Sequence, residues 1–288
     1  MNGQTTISNT AGDAILSTDT NINNQGDLSV DGTQANGTNI QGGSFHSDGN
    51  VIINNVAGTA FVQSGGTLDL ANDITTNNNG ADGIHLDKVN ASIGGNVETN
   101  GNKGRGLFQE QGKINIAGNL IVANNTDSII LRGLGTEGAG SEFIVGGATS
   151  ITGATKTGFE ADGMSTISLS DLTIDQQTSN IASDALSIHG GTFSARNIKV
   201  LHSKGNGILF TDVTMPGDNI INSVTVDGSA SNGVRLEHSD FNVNGDVNIL
   251  NSVDDGYHAE GMAGKTATFN NLTINQADAA IGRGFYQS

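Results

Sequence analysis

Four residues toward the C-terminal end have the types and spacing for acid–base work: Arg235, Glu237, His258 and Glu260. Counted from the apolar residues Val234 and Tyr257, the arginine and the histidine both stand at +1 and the two glutamates at +3. Segments that repeat this way and stack would place the four side chains in one outward patch, with His238 beside it. Two carboxylates held one repeat apart can pass protons to and from a substrate or hold a cation. The competing interpretation is a solvated charged face in which Arg235 neutralises its acidic neighbours. The repeat favours that second interpretation, because the +3 place also holds Asp87, Arg132, Asp162 and His189 elsewhere. The 6 histidines are scattered and no two stand at i and i+2, so neither a metal centre nor a cofactor is expected.

Binding residues are expected in two other places. Lys103, Arg105 and Lys113 form the one local basic cluster and would suit an acidic glycan, although turn charges of this kind are usually just solvated. Three stretches carry residues in excess of the repeat: 133–140 (GLGTEGAG), 176–184 (QQTSNIASD) and 211–219 (TDVTMPGDN). Loops on a rigid scaffold are where ligands are commonly held. That singles out Gly133, Thr136 and Glu137 in the first stretch and Thr211, Asp212, Met215 and Asp218 in the last. Solenoid loops also drift in length without acquiring a role.

What must position all of these is a repeat. Asp27-Leu28, Asn50-Val51, Asp73-Ile74, Asn96-Val97 and Asn119-Leu120 recur at a constant step of 23. A fixed period in the twenties marks a solenoid, each repeat being one rung. Each rung reads as three short extended pieces. The first opens with a small and then an apolar residue, as in Gly83-Ile84, Gly106-Leu107 and Gly207-Ile208. The second and third alternate, as in Leu68/Leu70 and Leu120/Val122. Period-2 alternation over a few residues is a half-buried strand, and no room is left for helices. The expected fold is therefore all-β: a single right-handed parallel β-helix over 1–288, with about eleven three-stranded coils and a rod about 50 Å long at the usual strand spacing. Leu28, Val51, Ile74, Val97 and Leu120 should form an inward column. The Asp and Asn before them should form a corner column in left-handed conformation, bonded up the stack. The step breaks after Leu120, and the next clear third strand begins at Leu172. Leucine-rich and calcium-binding nonapeptide repeats are excluded by their missing motifs.

Composition agrees. The chain has 42 Gly, 1 Pro, 0 Cys and 0 Trp in 288 residues. Its net charge of -17, with 12 basic and 29 acidic residues, argues against nucleic acid and anionic membranes as partners. Without cysteine there is neither a disulfide framework nor a thiolate metal site. Met1-Asn2-Gly3-Gln4 has no basic or apolar leader pattern, and no stretch approaches the roughly 20 apolar residues of a membrane span. A mature or excised fragment of a longer chain, with a start Met added, is the expectation. Most of the 10 Phe residues fall in inward columns. Phe108 and Phe210 stand beside anchor residues and are expected to be exposed.

The Gly-apolar opening, the alternating strand, the Gly-Asn corner and the second alternating strand running into an Asn-bearing turn (83–102, 106–125) resemble the pectin-lyase-like β-helix superfamily. Low aromatic content, absent cysteine, acidity and richness in Gly, Asn, Thr and Ser make nearly the whole chain similar to the pertactin-like passenger domains of Gram-negative autotransporters. That resemblance implies a secreted or cell-surface protein of a bacterial outer membrane, an adhesin or virulence factor. Its partner would be a host receptor, matrix protein or glycan, with self-association as a further option. It implies no membrane insertion by this fragment and a translocator barrel in the full-length protein. The superfamily also contains polysaccharide lyases and hydrolases, whose sites resemble N-T-D, D-D, G-H-G and R-I-K. Here only Asp254-Asp255 match, so a non-catalytic binder is expected ahead of an enzyme using Arg235, Glu237, His258 and Glu260. A structural stalk is the third option.

Overall fold

The computed structural model describes residues 1, 3–133, 140–179, 181–215, 217, 221–278 and 280–288. Of its strands, 28 join one continuous parallel sheet, and Phe241–Asn242 pairs separately with Ala267–Thr268. The sheet winds into a β-solenoid of about eleven turns, with no helix among the described residues. Three faces recur in every coil. The continuity arises at long strands such as Ile84–Ile93 and Thr166–Asp175, which bend round a corner from one face to the next.

The inward column falls where the alternation puts it. Leu28, Val51, Ile74, Val97 and Leu120 are successive register partners, and each is 0% exposed. The column extends back to Thr5, opposite Leu28. Between Leu120 and Leu172 lies a strand the alternation leaves unassigned, Thr149–Thr152. Its first inward residue is Thr149, a buried hydroxyl whose column neighbours Leu120 and Leu172 are aliphatic. That polar side chain hides the strand from a hydrophobic-pattern reading.

The corner column is bonded up the stack as expected, once by a side-chain amide (Asn96 Nδ2 to Asp73 Oδ1, 3.1 Å) and otherwise by backbone donors. Asn50, Asn96 and Asn119 each donate their backbone N–H to the side-chain oxygen one coil back: to Asp27 (2.9 Å), Asp73 (2.6 Å) and Asn96 (2.9 Å). None of these residues is left-handed. The left-handed column sits after the third strand, at Asn9, Gly32, Asn55, Asn78, Gly101 and Asn124. There the chain reverses sharply, and only Gly or a short Asn tolerates positive φ cheaply. One residue further on is a ladder that the alternation does not disclose. Asn79 Nδ2 donates to Asn102 Oδ1 (2.7 Å) and Asn102 Nδ2 to Asn125 Oδ1 (2.9 Å), all three side chains being inside the rod.

Phenylalanine fills the wider part of the interior, as in the Phe193–Phe210 and Phe210–Phe241 contacts (5.1 and 6.3 Å between rings). Phe210 is therefore core, contrary to expectation, since it stands two residues beyond Ile208 and points inward with it. Phe108 does face outward but is covered by its neighbours.

Candidate functional site

The outward row of the first face carries the acid–base candidates. Strand pairing places Arg235 opposite His258 and Glu237 opposite Glu260, so the four do come together. Arg235 Nε donates to Glu237 Oε1 (2.7 Å), and Nη2 donates to Glu260 Oε1 (2.9 Å). Thr211 donates its hydroxyl to the other Glu237 oxygen at 3.3 Å. One guanidinium thus holds both carboxylates. His258 Nε2 stands 3.9 Å from Glu260 Oε2, and its Nδ1 stands 2.7 Å from Asp255 Oδ2.

Asp255 belongs to an arrangement that occurs twice. It is nearly buried and accepts from the Arg283 backbone N–H (2.5 Å) and guanidinium (3.1 Å) of the next coil. Burial pushes its carboxyl up, but the Arg283 and His258 hydrogen bonds outweigh that and hold it below its ordinary value. Arg283 lies 3.7 Å over the Tyr286 ring, which packs 4.7 Å from His258. Seven coils earlier on the same face, Asp82 accepts from Arg105, Arg105 lies 3.5 Å over Phe108, and Phe108 packs 4.7 Å from His85. Burial, reinforced by Arg105, lowers the His85 pKa. The sequence signal is plain once the geometry is known. Asp82-Gly83-Ile84-His85 is followed one coil later by Arg105-Gly106-Leu107-Phe108. Asp255-Gly256-Tyr257-His258 is likewise followed by Arg283-Gly284-Phe285-Tyr286. Each cluster ties adjacent coils by an ion pair and a histidine–aromatic contact, and within one coil the arginine stacks over the aromatic ring.

The basic residues each have separate surroundings. Arg105 is committed to Asp82 and Phe108, Lys113 pairs with Glu142 at 2.7 Å on the second face, and Lys103 is exposed in the turn before them. The insertions fall at three different places in the coil. The 133–140 stretch joins a first-face strand to a second-face strand, and 176–184 joins the third face to the next first face. The 211–219 stretch instead leads into the second face and interrupts it, since Thr214 and Ile221 bridge the second-face residues Thr192 and Val243. Gly133 follows the Asp127–Arg132 strand, Thr211 ends the Ile208–Thr211 strand, Asp212 is left-handed, and Met215 is buried. Thr136, Glu137 and Asp218 lie outside the described residues.

On the second face, His46 bonds to a carboxylate at each ring nitrogen: Nδ1 to Asp69 (2.8 Å) and Nε2 to Asp48 (2.9 Å). Both nitrogens can donate only in the imidazolium, so these bonds raise its pKa. Asp184, half-buried beside Asn206, is pushed up by desolvation, and its bonds from Asn206 offset only part of that. Among the described residues no three His, Asp or Glu side chains converge as metal ligands do.

No protein-family model, curated protein or solved structure matches this chain.

Proposed function

We propose that this chain is a displayed β-solenoid of the autotransporter-passenger type, secreted or held at a bacterial cell surface, that binds a host receptor, matrix component or glycan without catalysis. The observation that carries the non-catalytic part is the ligation of Arg235. Both carboxylates that could serve as acid and base are held by the same guanidinium, 2.7 and 2.9 Å away. A general base bonded to a fixed cation is a poor proton acceptor. The display part is supported by an acidic, cysteine-free chain wound into a rod whose long faces offer regularly spaced short polar side chains.

The test is saturable binding of the purified chain to host cells and to immobilised matrix proteins and glycans. Binding should persist in Arg235→Ala and weaken when 133–140 or 211–219 is deleted. Unchanged binding in both deletions would move the contact to the strand faces. Absence of binding to every surface would favour a stalk and overturn the proposal. Release of reducing ends or unsaturated products from polyuronates, lost in His258→Ala, would favour a polysaccharide-active enzyme. The placing of His258 between Asp255 and Glu260 keeps that second reading in view.

A further inference from the structure

We propose that Asn244-Gly245 is a site of spontaneous backbone modification, the one Asn-Gly pair among six described that the solenoid leaves open to deamidation. In that reaction the deprotonated backbone nitrogen of the glycine attacks the asparagine side-chain carbonyl carbon. A carbon–nitrogen bond forms, ammonia leaves with the side-chain nitrogen, and a five-membered succinimide results. Water then opens the ring on either side, giving aspartate or an isoaspartate whose main chain runs through the former side chain. The step requires two things: a glycine N–H that can give up its proton, and a side-chain amide able to turn toward it.

Five of the pairs are denied both. At Asn36-Gly37 the side-chain oxygen accepts the Thr59 N–H (2.9 Å), and Gly37 N–H is bonded to Thr59 O (3.1 Å). At Asn79-Gly80 the oxygen accepts from Val56 (3.1 Å), and Gly80 N–H donates to Val56 O (2.8 Å). Asn100 Oδ1 accepts from Asn124 (2.9 Å), while Gly101 N–H donates to Ala123 O (2.9 Å). Asn206 Oδ1 accepts from the Asn232 side chain (2.9 Å), and Gly207 N–H donates to Asn232 O (2.9 Å). Asn232 Oδ1 accepts from Asp255 (3.1 Å), and Gly233 N–H donates to Asp255 O (3.0 Å). In every case the coil-to-coil bonds that hold the rod together also occupy the nucleophile and immobilise the electrophile.

Asn244-Gly245 differs in each respect. It lies at the corner between the second and third faces, after the Phe241–Asn242 strand and before Asp246–Leu250. Asn244 is exposed, and its side-chain amide bonds to no described residue. No described residue accepts from the Gly245 N–H. The corner is held to the next coil only through its carbonyls: Asn270 donates from its side chain to Asn244 O (2.6 Å) and from its backbone to Gly245 O (3.1 Å). An isoaspartate there would lengthen the main chain between those two acceptors, add a negative charge, and loosen the attachment of the Asn271–Asn275 strand.

The experiment is a time course of the folded chain at neutral and mildly alkaline pH, followed by peptide mass mapping and enzymatic methylation of isoaspartate. Asn244 should convert at least about tenfold faster than Asn36, Asn79, Asn100, Asn206 and Asn232, each of which needs a local opening before it can react. In concentrated urea the six rates should converge, because the protection is structural. Asn244→Gln should remove the fast conversion without shifting the urea midpoint. It is preferred to a Gly245 substitution, since a Cβ at Gly245 would lie 2.1 Å from the Asn222 carbonyl. Comparable conversion at any of the other five in the folded chain, or rate differences that survive in urea, would overturn the proposal.

Discussion

Arg105 grips Asp82 of the preceding coil at both carboxylate oxygens, with Nε 3.1 Å from Oδ1 and Nη2 2.6 Å from Oδ2. The Asp82 side chain is only 9% exposed, so Arg105 supplies hydrogen bonds that solvent cannot. Arg105→Ala leaves a desolvated carboxylate and uncovers Phe108, and it should destabilise the chain by about 2–3 kcal/mol. Asp82→Asn keeps an acceptor for the Arg105 backbone N–H and should cost about 1 kcal/mol. Urea midpoints of the two variants check this. Near-zero shifts in both would show that the pair is effectively solvated.

Tyr257 should prove a liability to stability. It occupies an inward place, stacked 4.9 Å from Phe285, and its hydroxyl is buried with no hydrogen-bond partner among the described residues. Burial pushes the phenol above its ordinary pKa. Tyr257→Phe removes an unpaired polar atom at nearly constant volume, so the melt should stay level or rise by about 1 kcal/mol. A loss of stability would mean the hydroxyl has a partner. Ultraviolet titration of the folded chain should show one tyrosine resisting ionisation above the usual range.

Two histidines should titrate in opposite directions. His46 is raised by its bonds to Asp69 and then Asp48. Its contribution is fully present below the ordinary histidine value and is lost as pH rises through the raised one. His85 is lowered by burial and by Arg105. Its contribution is present above the ordinary value and is lost as pH falls through the lowered one. Proton NMR of the ring carbons should place His46 above His85. Asp69→Asn should bring His46 down and leave His85 unmoved; the reverse order of titration would contradict both assignments.

The two asparagine ladders should differ in weight. Asn102 is 2% exposed, donates to Asn125 and accepts from Asn79. Asn102→Ala strands buried donors and acceptors on both neighbours and should cost about 3 kcal/mol. Among the described residues the Asn119 side chain accepts only the Ala148 N–H (2.9 Å), at an exposed corner, and Asn119→Ala should cost about 1 kcal/mol or less. Chemical denaturation of both variants tests the ranking. Equal costs would show that burial does not separate the ladders.

Much of the fold was legible because its cause is local and repeated. The step from Leu28 to Leu120 set the inward column and the strand order, and the alternation around Phe45, Leu68 and Ile114 set the second face. The strand at Thr149 was lost because a threonine fills an aliphatic place. The site was less legible. Register from Val234 and Tyr257 brought Arg235, Glu237, His258 and Glu260 together, but not the direction of each hydrogen bond. Asp255 and Asp82 were missed as anchors because their arginines stand on the next coil, at different sequence distances: Arg105 lies 23 residues after Asp82 and Arg283 lies 28 after Asp255.

The sequence by itself determined the repeat, the all-β solenoid and which residues point inward, because side-chain direction in a strand has period two and identical rungs must superpose. Only the tertiary structure decided what each polar residue is bonded to. Corner Asn and Asp residues look alike in the chain, yet some carry left-handed backbone, some accept from the next coil, and the Asn244 side chain stands without a described partner. Hydrogen bonding depends on distances of about 3 Å between atoms a whole coil apart, and loop length and corner geometry set those distances, not residue type.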